Sequence, residues 1–297
     1  MRFRQVYVEI TNVCNLACPF CPGTGRAPAY MDAGLFAGIA EQLKPLTEQI
    51  YLHVMGEPLL HHEFARFIDI CAGFELPVAI TTNGTMFGAP AAACLLNPIV
   101  RQVNISLHSL QQHNSPADRH KQLEQILDFT RQAFALRPEL YINYRLWNLD
   151  VPGAELDSDE NSWICRRIEE AFDVKIPSGG HSSGRKSRPL LNRLYLHLDT
   201  RFEWPDVNSA RPLNTRGFCH ALGTHFAILA DGTVVPCCLD RNGVTALGNC
   251  REQSIISIID SPRAQAILSG FQNGVLSEAL CQKCSYCSRF KSRLKKR

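Results

Sequence analysis

Through its first two thirds the chain alternates short apolar runs with amphipathic helical stretches, and that alternation leaves few folds open. Residues 5–11 read as a strand, after which Leu35, Phe36, Ile39 and Leu43 fall on one helical face. Residues 49–55 read as a second strand, followed by Phe64, Phe67, Ile68 and Cys71 at helical spacing. Residues 77–82 and 102–107 are the third and fourth strands, and Leu123, Ile126, Leu127, Thr130 and Phe134 mark a long helix. Residues 140–147 give a fifth strand and 163–172 a further helix. The sixth strand is either 173–176 or 194–198, and the second is the better match. Such alternation implies a parallel sheet with crossover helices. Six strands fall short of the eight of a closed barrel, so the expected fold is α/β, a partial (β/α)6 barrel. Residues 177–188, rich in Gly, Ser and basic residues, read as a mobile loop or lid.

After residue 203 the pattern changes. Residues 225–237 form two apolar runs around Ala230-Asp231-Gly232, as in a hairpin. Residues 254–259 and 262–271 read as short helices, and the chain closes in a cysteine-rich knot. The expected division is 1–203 for the barrel and 204–297 for a small cysteine-rich α+β domain, one with too little core to stand without a metal.

Cysteine is the outlier of composition, with thirteen in 297 residues. Residues 1–4 run directly into the first strand without the apolar core of a signal peptide, and no apolar run approaches a membrane span. A cytoplasmic chain is therefore expected, where clustered thiols serve metals or redox chemistry more often than disulfides. Cys14, Cys18 and Cys21 form one group. Cys219, Cys237, Cys238, Cys250, Cys281, Cys284 and Cys287 form another. Cys71, Cys94 and Cys165 lie in apolar or helical surroundings and read as structural thiols.

The first group, Cys14-x3-Cys18-x2-Cys21, directly follows the first strand. Four thiolates saturate a cubane iron–sulfur cluster, so three leave one iron open to another ligand. A zinc knuckle or half of a ferredoxin site satisfies the same spacing. The neighbouring strand ends bear on the choice, because chemistry in parallel β/α folds gathers there. Strand two ends in Met55-Gly56-Glu57-Pro58, strand three in Thr82-Asn83-Gly84-Thr85, and strand four in Ser106-Leu107-His108-Ser109. Arg145 and Asn148 close strand five. Four such rims around one loop favour a reaction centre over a structural knuckle.

On these motifs the chain resembles the radical S-adenosylmethionine (SAM) superfamily, and its C-terminal part resembles the SPASM or shorter "twitch" extension. The resemblance implies a [4Fe–4S] cluster on Cys14, Cys18 and Cys21 whose open iron is chelated by SAM. An electron delivered to that cluster then cleaves SAM to methionine and a 5′-deoxyadenosyl radical, which removes a hydrogen atom from substrate. It implies further that Phe20 lies near the adenine, and that Met55-Gly56-Glu57 receives the methionyl ammonium through backbone carbonyls and the acidic side chain. Met55 stands where the family has a first glycine, a change that leaves the backbone carbonyl in place. Ser106 and Arg145 fall where relatives hold the SAM carboxylate, and Asn83 is a candidate for the ribose. In the extension, Cys219, Cys237, Cys281 and Cys284 follow the spacing of an auxiliary [4Fe–4S] cluster. Cys238, next to Cys237, is expected on the opposite strand face; Cys250 is expected in packing, and Cys287 is left unassigned.

The short form of the extension resembles an aminocyclitol dehydrogenase of the superfamily, in which the auxiliary cluster takes an electron from the substrate radical. The expected activity is a radical SAM oxidoreductase or maturase acting on a small molecule or a peptide. A flavodoxin or ferredoxin would be the electron donor. With Cys14 so near the start, no leader-binding domain is expected ahead of the barrel, which favours a small molecule. Two alternatives are a non-catalytic zinc scaffold and an RNA-modifying radical enzyme. The second rests on Arg185, Lys186, Arg188 and the basic end from Arg289 to Arg297. At a net charge of +3, neither nucleic acid nor membrane is an expected partner. No residue stands out as a general base; His108, Glu203 and the His61-His62 pair are the nearest candidates.

Overall fold

The computed structural model describes residues 3–88, 90–112, 115–149, 159–177, 186–201 and 203–290. One ten-stranded sheet runs through it in the order β10 (Gly248–Asn249), β9 (Thr233–Val235), β8 (His225–Ile228), β1 (Gln5–Val8), β2 (Ile50–Tyr51), β3 (Val78–Thr82), β4 (Val100–Ser106), β5 (Tyr141–Leu146), β7 (Leu194–Leu198) and β6 (Ser187–Leu191). Its parallel heart is β1 (Gln5–Val8), β2 (Ile50–Tyr51), β3 (Val78–Thr82), β4 (Val100–Ser106), β5 (Tyr141–Leu146) and β7 (Leu194–Leu198). The sixth strand of the barrel is thus the one at 194–198. An antiparallel β6 (Ser187–Leu191) flanks it. Strand β2 is much shorter than expected, because the chain past it turns beneath the three-cysteine loop instead of continuing along β3.

The helices begin where the sequence marks them. Asp32 caps α1 (Ala33–Leu43) by accepting from Leu35 N at 2.8 Å. Ser115, with Pro116 behind it, caps α3 (Pro116–Leu136). Along α1 and α2 (Phe64–Gly73), Phe36, Ile39, Leu43, Phe64, Phe67, Ile68 and Cys71 are all buried against the sheet. They meet the apolar face of the strands, where Val6, Val8, Ile50, Val103, Ile105, Ile142, Tyr144, Leu194 and Leu196 are all fully buried. Period-2 alternation sends the other residues of the same strands to the concave side. Tyr7 pairs with Tyr51, Asn104 with Asn143, Ser106 with Arg145, and Arg145 with His197. The barrel lumen is therefore polar and aromatic, while the helix-covered side is aliphatic.

The C-terminal segment does not sit apart from this sheet. Strand β8 (His225–Ile228) pairs in parallel with all four residues of β1, and β9 (Thr233–Val235) and β10 (Gly248–Asn249) continue from it antiparallel. Helices α5 (Ile255–Ile259) and α6 (Pro262–Gln272) fall where short helices are expected, and they start on Ser254 and Ser261 caps. The final turns, α7 (Ala279–Gln282) onward, reach back to the barrel's open side, where Arg289 contacts Asp199 and Thr200 beyond β7. Most of the expected lid at 177–188 and the basic end from 291 lie outside the described residues. Lys186 pairs with Asp199, and Arg188 donates to Pro177 O.

Candidate active site

The three-cysteine loop leaves β1 and lies over the ends of β2 and β3. Cys14 and Cys21 are exposed and Cys18 half-buried, and Cys21 N donates to Cys18 O at 2.9 Å. Gly56 lies directly beneath. Its φ is +77°, and a Cβ there would stand 2.4 Å from Thr11 O and 2.9 Å from Val13 O. Only glycine permits this approach. Glu57 follows, with its N–H on Val13 O at 2.9 Å and its carboxylate buried. Burial pushes that carboxyl up to about 7, opposed by hydrogen bonds from Asn83 N, the Thr82 hydroxyl and Leu59 N. Those three bonds leave about one of the carboxylate's acceptor positions for a ligand.

Phe20 packs on His108 with ring centres 4.9 Å apart. His108 in turn holds the end of β5, its Nδ1 lying 3.1 Å from Arg145 O. Ser106 and Arg145 are side by side across β4 and β5 and both line one cavity of about 570 Å³. Arg145 has no carboxylate partner among the described residues. Its Nε is buried without a hydrogen bond, and its guanidinium lies 4.6 Å from the Trp147 ring centre. Burial lowers it to about 10, against the pull of the Tyr51, Tyr7 and Tyr286 phenols. A guanidinium in this setting is a ready partner for a ligand carboxylate. Asn148 does not reach this group; it exchanges hydrogen bonds with Asn161.

The same cavity extends to the second cysteine group, touching Cys219, Cys237, Cys238, Cys281, Cys284 and Cys287 as well as Phe20 and Cys21. Four cysteines, one in the first loop and three here, share a backbone signature. Leu16 N–H donates to Cys14, Ala221 N–H to Cys219 at 3.5 Å, Leu239 N–H to Cys237 at 3.2 Å, and Tyr286 N–H to Cys284. In each case the donor is two residues on. Such N–H···S bonds stabilise thiolate, the form that ligates iron, so these thiols fit an iron–sulfur centre. Among the described residues no three His, Cys, Asp or Glu side chains form a group able to hold a single metal ion.

Cys287 joins the set, its Sγ donating to Cys284 O at 3.2 Å. Cys238 departs from expectation. It and Cys237 lie in a bend past β9, where strand alternation does not apply. Their thiols are hydrogen-bonded to each other, and Cys238 also reaches Tyr7. Cys71 and Cys165 are buried and Cys94 and Cys250 half-buried against the core.

Two further positions at the site stand out only in the fold. Glu9 is fully buried at the end of β1, where both its oxygens meet Arg26 at 2.7 and 2.8 Å. It also accepts from Met55 N at 3.0 Å and Ala230 N at 3.1 Å, and Arg26 Nε donates to Arg241 O. This one ion pair ties the base of the first cysteine loop, the strand-two motif and the C-terminal hairpin. The signal was available, since Gln5, Tyr7 and Glu9 alternate with Val6 and Val8. His53 is the second. It lines the cavity between Tyr7 and Tyr51, its Nδ1 is buried without a partner, and burial lowers it to about 3. Of the nearest base candidates, His108 lines the cavity, whereas His61 lies 3.0 Å from Met31 O and stacks on His62, and Glu203 pairs with Arg211.

A partial β/α barrel with two cysteine centres opening on one cavity defines a class of iron–sulfur enzyme, and comparison with known proteins identifies it. The sequence profile of the Radical SAM superfamily matches residues 8–144, and that of SPASM, an iron–sulfur cluster-binding domain, matches residues 219–288. The chain belongs to the radical SAM superfamily and carries a SPASM extension. Its cofactors are accordingly SAM and [4Fe–4S] clusters, one of them auxiliary. It is 23% identical over 303 residues to the GTP 3′,8-cyclase of Alkaliphilus oremlandii, covering 90% of each chain. In fold it is similar to BtrN in complex with AdoMet and 2-DOIA, with a TM-score of 0.59 at 18% identity over 96% of this chain and 94% of that one. Streptococcus suis SuiB bound to precursor peptide SuiA matches with a TM-score of 0.56 at 15% identity, over 96% of this chain and 71% of that one. No helix among the described residues is long and apolar enough to cross a membrane.

Proposed function

We propose that this radical SAM enzyme abstracts a hydrogen atom from a small polar molecule held between its two iron–sulfur centres. The observation that carries the reading is the single cavity lined both by Phe20 and Cys21 and by Cys219, Cys237, Cys281 and Cys284. Its volume, about 570 Å³, is shared by SAM, whose carboxylate meets Ser106 and Arg145 there, and by the auxiliary cluster, so the space left for substrate suits a small molecule. When bound, the cofactors supply reductive cleavage of SAM to a 5′-deoxyadenosyl radical and a second electron-transfer centre.

The chain's own residues bind and orient. Cys14, Cys18 and Cys21 hold the first cluster, and Cys219, Cys237, Cys281 and Cys284 the auxiliary one. The carbonyls of Met55 and Gly56, with the Glu57 carboxylate, take the methionyl ammonium. Ser106 and Arg145 take the SAM carboxylate, Phe20 borders the adenine, and Asn83 shapes the turn between them. Residues 1–203 carry SAM cleavage and 204–297 the auxiliary cluster, joined by the β1–β8 ladder. Cys14 and Cys21 lie at the surface, where an electron donor of flavodoxin or ferredoxin type can approach.

A size-resolved isotope experiment tests the substrate class. Anaerobically reconstituted enzyme with SAM and reductant is given extracts of cells grown in deuterated medium, divided into a low-mass fraction and a peptide and protein fraction. Deuterium appearing in 5′-deoxyadenosine from the low-mass fraction supports the reading. Deuterium from the peptide fraction alone would replace it with a peptide substrate, as in the SuiB–SuiA pair.

A further inference from the structure

In the turn after β3, one side chain has every hydrogen-bonding position taken. Asn83 Nδ2 donates to Cys14 Sγ at 3.7 Å and to Asn15 Oδ1 at 2.9 Å. Its Oδ1 accepts from Thr85 N at 2.9 Å and from the Thr85 hydroxyl at 2.7 Å. A carboxamide has two N–H donors and two acceptor lone pairs, so none is left for a ribose hydroxyl. The orientation is fixed by the partners. Reversed, the amide would aim its NH₂ at the Thr85 N–H and its oxygen at the Asn15 oxygen.

The backbone of Asn83 is held as firmly. Its N–H meets Glu57 Oε2 at 2.6 Å, and its carbonyl accepts from Ser109 Oγ at 2.8 Å and Gln122 Nε2 at 3.0 Å. Gly84 completes the turn at φ +83°, where a Cβ would stand 2.8 Å from Ile126 Cδ1. Three elements besides β3 thus converge to place one N–H on one cysteine sulfur: the Glu57 segment, the turn that carries Ser109, and α3.

We propose that Asn83 is a positioning residue of the first cluster, whose side-chain N–H on the Cys14 thiolate sets the potential at which that cluster takes up an electron. This rests on the reading that Cys14 ligates the cluster. The step concerned is a one-electron reduction by an external donor of flavodoxin or ferredoxin type; no bond to Asn83 forms or breaks. A hydrogen bond to a ligating sulfur withdraws electron density and favours the more negative, reduced state, so it raises the potential. Glu57 acts in part through Asn83, because its carboxylate fixes the main chain from which the amide projects.

The experiment is a potentiometric titration of the anaerobically reconstituted full chain, followed by electron paramagnetic resonance. The first cluster is identified as the signal that changes on adding SAM. Asn83→Ala removes the donor. Asn83→Asp keeps the acceptors for Thr85 but replaces the donor with a negative charge, and so guards against collapse of the turn. Both variants are expected to bind the wild-type amount of iron, to leave the auxiliary signal unmoved, and to shift the SAM-responsive signal to more negative potential, Asn83→Asp further than Asn83→Ala. An unchanged midpoint in both variants would overturn the proposal, including the case where SAM affinity falls and Asn83 touches SAM instead. A SAM-responsive signal that persists in the Cys14/Cys18/Cys21→Ala variant would instead overturn the ligand assignment beneath it.

Discussion

At the scale of single residues, the site depends on a few positions with no tolerated substitute. Gly56→Ala must place a Cβ 2.4 Å from a backbone oxygen at a φ of +77°. The left-handed backbone alone costs about 1–2 kcal/mol for a non-glycine residue, and the clash displaces the cysteine loop. Loss of SAM binding with retention of the auxiliary cluster is expected, read by calorimetry and iron content. Arg145→Lys should weaken SAM binding by about 1–3 kcal/mol, since an ammonium cannot reproduce a planar two-bond contact with a carboxylate. Unchanged affinity would move that contact elsewhere.

His53 gives a pH test. Its folded value lies near 3 against about 6.5 when unfolded, so the unfolded chain binds the extra proton first as pH falls. Its contribution to stability is present above about 6.5 and is lost progressively down to about 3. His53→Gln should therefore flatten the fall of melting temperature with acidification, and an unaltered slope would contradict its burial as a neutral ring.

Among elements, the sequence was most legible where apolar periodicity was strong. Leu35 through Leu43, Phe64 through Cys71 and Leu123 through Thr130 all emerged as helical faces on the sheet, and Leu194–Leu198 emerged as the sixth barrel strand. Strand β2 was overestimated, because an apolar run does not reveal that Gly56 must turn under the cysteine loop. Nor did adjacency in the sequence reveal that Cys237 and Cys238 sit in a bend.

Hydrogen bonding differs between the last two cysteines. Cys284 receives the Tyr286 N–H, whereas Cys287 donates its own Sγ to a carbonyl. Cys287→Ala should keep full iron and an unchanged auxiliary signal, and Cys284→Ala should lose that signal. The reverse pattern would exchange their roles. The Glu9–Arg26 pair links elements that the sequence kept apart. Arg26→Ala leaves a carboxylate buried without its partner, at an expected cost of about 3–5 kcal/mol in denaturant unfolding. A cost near zero would mean that backbone N–H groups alone satisfy Glu9.

At the scale of the whole molecule, the division at residue 203 is visible in composition but not in the sheet. Strand β8 joins β1 in parallel, so the C-terminal segment extends the barrel wall and its cysteines face the lumen. That long-range pairing has no signature in a hairpin's local sequence, which is why the shared cavity could not be read before the fold. The two cysteine groups nonetheless belong to separate segments: the tie through Glu9, and that of Asn242 Oδ1, which accepts from the Thr24 hydroxyl and Gly25 N, reach residues flanking the first loop and not its cysteines.

If two centres assemble independently around one cavity and SAM is cleaved at only one, iron content and SAM cleavage separate in one variant. Cys14, Cys18 and Cys21 are replaced together with Ala, and both iron per chain and reductive formation of 5′-deoxyadenosine are measured. The variant should keep about half the iron, that of one cubane of two, and form no 5′-deoxyadenosine. Full 5′-deoxyadenosine formation by that variant would contradict the account.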